Sequence, residues 1–270
     1  MAELGLALAF LVGCDGKTLW LGTLATSADG GGPEAGADLT PADATVDATS
    51  ADVGADLASA DSPPDSGIAC VSGQVEAQEV LFIGDSFMLV PLPITQASRV
   101  SDLARAANVI GPSDEYVNGA GPAVGLTAIV NQYNTQEAGA TKVKVLVMDG
   151  GTWETITNGA STAVVNSVAS NFTQFLAKVD SDGTVAHIIY VMVPELPSIP
   201  GVAALRPLLQ DSCTKSQVPC HFLDLEKQLL WTSHPEYTAA APNDIVPTEA
   251  GARAIAEAIW GLMQDNCIAQ

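Results

Sequence analysis

The sequence predicts an α/β fold: a three-layer α/β/α domain with a five-stranded parallel sheet, spanning residues 70–270. Three observations point there. Short apolar, β-branched runs recur at 79–83, 115–119, 142–148, 185–193 and 221–225, the length of strands. Segments with apolar residues at three- and four-residue spacing separate or follow them, notably Val165, Val168, Phe172, Phe175, Leu176 and Val179, then Ile255, Ile259, Leu262 and Met263. Strands alternating with helices need crossover connections, which make the sheet parallel and place helices on both faces. About 200 residues suffice for one substantial core.

In chain order, the first feature is the apolar run "LGLALAFLVGC", too short to span a bilayer as a stable helix. Its end, Leu11-Val12-Gly13-Cys14, resembles a bacterial lipobox, in which the signal is removed before the cysteine and the cysteine receives lipid. The preceding "MAE" lacks the usual Lys or Arg. The resemblance implies residues 1–14 as a signal, a protein anchored to membrane through lipidated Cys14, and a place at the cell envelope or outside the cell.

Residues 15–69 then read as an acidic, disordered tether. From Ala28 to Ser66 there are nine acidic residues and no Lys, Arg or aromatic residue, in a background of Ala, Gly, Ser, Thr and Pro. Such a segment buries too little apolar surface to offset the entropy of ordering it. Pro41, Pro63 and Pro64 interrupt any long helix. The net charge of −21 argues against nucleic acid as a partner, since phosphate binding needs a basic surface.

Five cysteines are present, and with Cys14 assigned to lipid four remain. Cys70 and Cys267 bracket the predicted domain, while Cys213 and Cys220 flank the polar loop "TKSQVP". Three pairings are possible. Position favours Cys70–Cys267 and Cys213–Cys220, and an exported chain permits both. Zinc is the alternative, but no C-x-x-C spacing occurs. No phosphate-binding glycine motif, nucleotide fingerprint or metal-ligand cluster is present, so no cofactor is expected.

The first strand, "EVLFI", runs straight into Gly84-Asp85-Ser86-Phe87. A strand followed by a tight turn is where a parallel-sheet protein can hold a serine rigid and exposed. This motif, with later blocks in matching order, resembles the SGNH (GDSL-type) hydrolases over roughly residues 78–265. The resemblance implies a flavodoxin-like fold and a serine esterase or acyl hydrolase acting on a small-molecule, lipid or carbohydrate ester. It makes Ser86 the nucleophile. In "YVNGAGPAVG" it makes Gly121 an oxyanion donor, with Gly119 as the fallback.

Two blocks depart from the pattern. Where the family has Gly-x-Asn-Asp after the third strand, this chain reads "VMDGGTWET", which puts Thr152 at the Asn position and Trp153 after it. A threonine hydroxyl can donate one hydrogen bond but is shorter than an amide; losing such a donor costs about 3–4 kcal/mol in a protease. Where the family has Asp-x-x-His-Pro-Thr, the chain reads "NDIVPT", with Asn243 at the Asp position and Val246 at the His position. Valine cannot carry a proton.

A relocated base is therefore expected if the chain is an enzyme. Of the three histidines, His187 lies inside an apolar run and His221 opens the fifth strand, at the end of the sheet away from the expected site. His234, in "WTSHPEYTAAAPND", falls in the loop before the last helix, with Glu236 or Asp244 to orient it. Asp244 acting alone is a weaker candidate. The competing expectation is a catalytically dead module that keeps the cleft to bind a ligand or carbohydrate.

Overall fold

The computed structural model describes residues 70, 74–89, 93–239 and 246–269. The expected signal, Cys14, the tether over 15–69, Asn243 and Asp244 lie outside the described residues. Five strands form one parallel sheet: β1 (Val80–Ile83), β2 (Val117–Asn118), β3 (Val145–Met148), β4 (His187–Met192) and β5 (Cys220–Asp224). Their order across the sheet is β2-β1-β3-β4-β5, with every pairing parallel. The chain reverses its direction of winding between β1 and β3, which leaves a crevice beyond the carboxyl ends of those strands.

Among the described residues eight α-helices connect or follow them: α1 (Ser86–Leu89), α2 (Gln96–Ala106), α3 (Leu126–Glu137), α4 (Thr152–Asn158), α5 (Thr162–Asp182), α6 (Val202–Thr214), α7 (Leu225–Leu229) and α8 (Glu249–Asp265). Helix α2 packs with α8 on one face, and α3, α5 and α6 pack in series on the other. Every residue of β1 and β3 is buried, as strands covered on both faces require.

The helices start where side chains satisfy the free backbone donors. Thr95, Ser161 and Thr248 accept from the backbone N–H three residues on, at the starts of α2, α5 and α8. On α5 the stripe Val165, Val168, Phe172, Phe175, Leu176 and Val179 is buried as its spacing predicts. On α8 the inner face is Ile255, Ile259 and Met263 together with Ala252, Ala256 and Trp260, whereas Leu262 is only half-buried at its margin.

Both expected disulfides are present. Cys70–Cys267 joins the start of the described fold to the segment after α8, and Cys213–Cys220 joins the end of α6 to the start of β5. Glu195 and Asp224 are committed to ion pairs. Arg206 lies 3.3 Å from Glu195 and 3.5 Å from Asp224, and Lys227 lies 3.4 Å from Asp224.

His187 stands at the first residue of β4 rather than in its core, half-buried, with its Nδ1 3.4 Å from His221 Nε2. Burial lowers the pKa of both rings below the ordinary 6.5, and His187 adds to the effect on His221. Below pH 6.5 the unfolded chain binds protons that the folded pair resists, so stability falls as pH drops from there through the folded pKa values. We expect the loss in melting temperature between about pH 7 and pH 5 to shrink in a His187→Gln/His221→Gln variant. An unchanged pH slope would show that the pair does not resist protonation.

Candidate active site

The site is built on the turn that leaves β1. Gly84 has φ of +139°, a region that side-chain-bearing residues rarely adopt. A Cβ added there would stand 1.8 Å from Asp149 Oδ1, so the glycine opens space that the aspartate fills. Gln132 of α3 holds the same residue by both backbone groups: Gly84 N–H donates to Gln132 Oε1 at 2.8 Å, and Gln132 Nε2 donates to Gly84 O at 3.1 Å.

Asp85 is fixed next. Its backbone N–H donates to Asp149 Oδ1 at 2.7 Å, and its own Oδ1 accepts from Phe87 N–H at 3.3 Å. Asp85 O then accepts from Met88 and Leu89 N–H, starting α1 with Ser86 as its first residue. Ser86 is partly exposed, and its hydroxyl makes no hydrogen bond among the described residues. The turn that continues from β1 is held by two side chains, Gln132 from α3 and Asp149 from the end of β3.

Below it lies a group of acids. Asp149 is fully buried and Asp85 is 6% exposed. Burial, then the neighbouring Asp85 carboxyl, pushes Asp149 well above the usual carboxylate range. Burial also raises Asp85, although its contact with the Asp149 carboxyl and the Phe87 N–H oppose that shift. Glu154 on α4 accepts from Leu126 N–H at 2.6 Å and adds negative charge to the same region. Tyr190 closes the floor by donating from its hydroxyl to Gly150 O at 2.6 Å.

The other expected residues fall around this turn in different states. Gly121 lies beside it, but its N–H donates to Gly84 O at 3.1 Å, so in this conformation it is not free for an oxyanion. The fallback is no freer: Gly119 N–H donates to Phe82 O at 2.7 Å, as part of the strand pairing. Thr152 opens α4 after the Gly150-Gly151 turn and is 4% exposed, and its hydroxyl is uncommitted among the described residues. Asp244 lies outside the described residues.

His234 sits in the loop before α8, with its side chain 41% exposed, and donates from Nδ1 to Glu236 Oε1 at 2.8 Å. Its ring stacks on Tyr237 at 4.6 Å between centroids. Tyr237 lies against the buried Trp231 at 5.2 Å, and Trp231 against Phe87 at 6.2 Å, so an aromatic series links His234 to the residue after Ser86. Trp231 is therefore a packing residue.

The loop is also stapled to the segment that leads into α8. Thr238 bridges Pro247, Ala239 N–H donates to Val246 O, and Thr248 N–H donates to Tyr237 O. The loop that bears His234 is thereby tied through Thr238 and Ala239 to Pro247 and Val246, the position that the sequence resemblance aligns with the family histidine. Among the described residues no group of three or more His, Cys, Asp or Glu side chains could hold a metal ion.

Sequence reasoning missed Gln132 and Asp149. Gln132 reads only backbone and leaves no side-chain pattern to detect. Asp149 did leave a signal: an acid at the end of an apolar strand, followed by two glycines, is an uncommon place for a charge.

No protein-family model and no curated protein matches the chain. Solved structures do. A lipase/acylhydrolase from Enterococcus faecalis superposes with a TM-score of 0.53 at 15% identity, covering 70% of this chain and 96% of that one. A carbohydrate esterase family 3 protein from Talaromyces cellulolyticus gives 0.54 at 13%, over 70% and 97% of the two chains. An acetyl xylan esterase gives 0.54 at 11%, over 68% and 98%. At such identities the likeness speaks for the fold alone: the described residues from Cys70 onward share a three-layer α/β/α fold with these lipase and esterase structures.

Proposed function

We propose that the chain is an exported, lipid-anchored serine ester hydrolase of SGNH type, with Ser86 as nucleophile and His234 as general base. The observation that carries this reading is the 2.8 Å bond from His234 Nδ1 to Glu236, on a loop tied to the position where the family base is missing. A carboxylate on Nδ1 fixes the tautomer and leaves Nε2 free to take a proton. Glu236 is held below the usual range, first by its backbone hydrogen bond and then by His234, so it stays ionised for that task. Asp244 is the second acid able to orient the ring.

In this mechanism Ser86 Oγ attacks the acyl carbon while His234 takes its proton. The Thr152 hydroxyl donates to the oxyanion, joined by Gly121 N–H once it leaves Gly84 O. His234 returns the proton to the departing alcohol, and water then hydrolyses the acyl-enzyme. A small-molecule, lipid or carbohydrate ester is the substrate class, supported by the lipase and carbohydrate-esterase names of the structural neighbours. Export and attachment at Cys14 are supported by the lipobox-like run, and two disulfides suit an oxidising compartment.

A second reading, a ligand-binding pseudoenzyme, is favoured by the unpartnered Ser86 hydroxyl and the engaged Gly121 N–H. Turnover of short p-nitrophenyl esters separates the two. Wild type is expected to turn over, Ser86→Ala to fall to background, and His234→Ala to lose about 10²–10⁴-fold with the fold retained by circular dichroism. A wild-type protein that neither turns over nor labels at Ser86 with a fluorophosphonate would establish the binding module instead.

A further inference from the structure

We propose that Asp149 is a positioning residue that holds the Ser86 turn as a neutral, protonated carboxylic acid. The inference rests on the reading of Ser86 as nucleophile. Its support is geometric. Asp149 Oδ1 is the acceptor for Asp85 N–H at 2.7 Å and occupies the volume that a side chain at residue 84 would need. It is fully buried, so it has no water to solvate a charge.

The groups that face it are acids or neutral. Asp85 lies at the end of β1, Glu154 on α4 and Tyr190 on β4, and each interacts with this region electrostatically. Gln132 contributes a neutral amide from α3. Among the described residues no Lys, Arg or His forms an ion pair with Asp85, Asp149 or Glu154. Two buried carboxylates side by side without a cation cannot both stay ionised; one keeps the proton. Asp149 Oδ2 accepts from no donor, as an O–H would not, and Asp149 is the more buried of the two. The pair is then a neutral acid beside the Asp85 carboxylate, which itself caps α1 through Phe87 N–H.

The consequence is a pH limit on the alkaline side. Below the ordinary carboxyl pKa of 3.8 both folded and unfolded chains hold this proton. Above it the unfolded chain releases the proton and the folded chain keeps it, so the stability of the turn declines as pH rises until the raised folded value is passed. Asp149→Asn copies the neutral acid, with one acceptor and one donor, and removes that decline. Asp149→Leu removes the bond to Asp85 N–H.

The test begins with the wild-type protein carrying ¹³C-labelled aspartate. One Cγ is expected to keep the shift of a protonated acid at pH 7, and that signal is expected to be missing from Asp149→Asn. Fully ionised aspartates at pH 7, or a protonated signal that survives in Asp149→Asn, would overturn the proposal. The second arm is ester turnover against pH. Asp149→Asn is expected within about tenfold of wild type with its alkaline loss removed, and Asp149→Leu to fall about 10²-fold, the scale of a displaced nucleophile. Equal losses in the two variants would also overturn it. If the wild type shows no turnover, the hydrolase reading fails, and the spectrum still decides the protonation of Asp149.

Discussion

Gly84→Ala is expected to lower the melting temperature by about 10 °C and to abolish ester turnover. Two costs add at this one position. The backbone sits at φ of +139°, where a non-glycine residue is strained by about 1–3 kcal/mol. The new methyl would also meet Asp149 Oδ1 at 1.8 Å, Asp149 Cγ at 2.8 Å and Met88 Cγ at 3.0 Å. Overpacking a filled site costs about 1–3 kcal/mol more. Asp149 cannot simply rotate away, because its Oδ1 holds Asp85 N–H, so relief comes at the expense of the turn that presents Ser86. For a domain of this size each kcal/mol shifts the midpoint by about 2–4 °C. Gly261, in the open on α8, is the matched control: nothing lies within 4 Å of its added Cβ, and alanine there is expected to stabilise slightly. A Gly84→Ala protein that melts with wild type and retains turnover would refute this account of the turn.

Removing the Cys70–Cys267 disulfide is expected to be the second large effect. It closes a loop with a sequence separation of 197, against 7 for Cys213–Cys220. In the chain-entropy treatment the long loop contributes about 5 kcal/mol and the short one about 2 kcal/mol. Thermal melts of Cys70→Ser/Cys267→Ser and Cys213→Ser/Cys220→Ser, without reductant, compare the two directly. The ordering is the point at issue: if the short loop's loss costs as much as the long one's, unfolded-chain entropy is not what these bridges restrict.

The fold was legible because its signals are local. "EVLFI", "VKVLVM" and "VAHIIYVMV" carry enough contiguous apolar residues to be read as covered strands, and α5 displays its inner stripe at helical spacing. The second strand was the faintest in sequence and is the shortest in the sheet, two residues at its edge. The site was legible only in part. Gly-Asp-Ser announces itself because the turn needs a particular residue at each step. The supports of that turn come from Gln132 and Asp149, 48 and 64 residues away in sequence, through contacts that both side chains make to backbone. Periodicity and spacing report neither. His234 could be placed by its loop, but its bond to Glu236 depends on how the chain turns at Pro235.

The bridge between Cys70 and Cys267 also determines how the domain can be held. Helix α8, capped by Thr248 beside the loop that bears His234, runs about 25 Å before it reaches that bridge. Gln74, just inside the bridge, accepts a hydrogen bond from Lys144, immediately before β3 begins. Entry and exit of the domain thus share one doorway at the floor of the sheet, while Ser86 opens on the roof. A support coupled ahead of residue 70 would join the domain at the end of the sheet opposite Ser86.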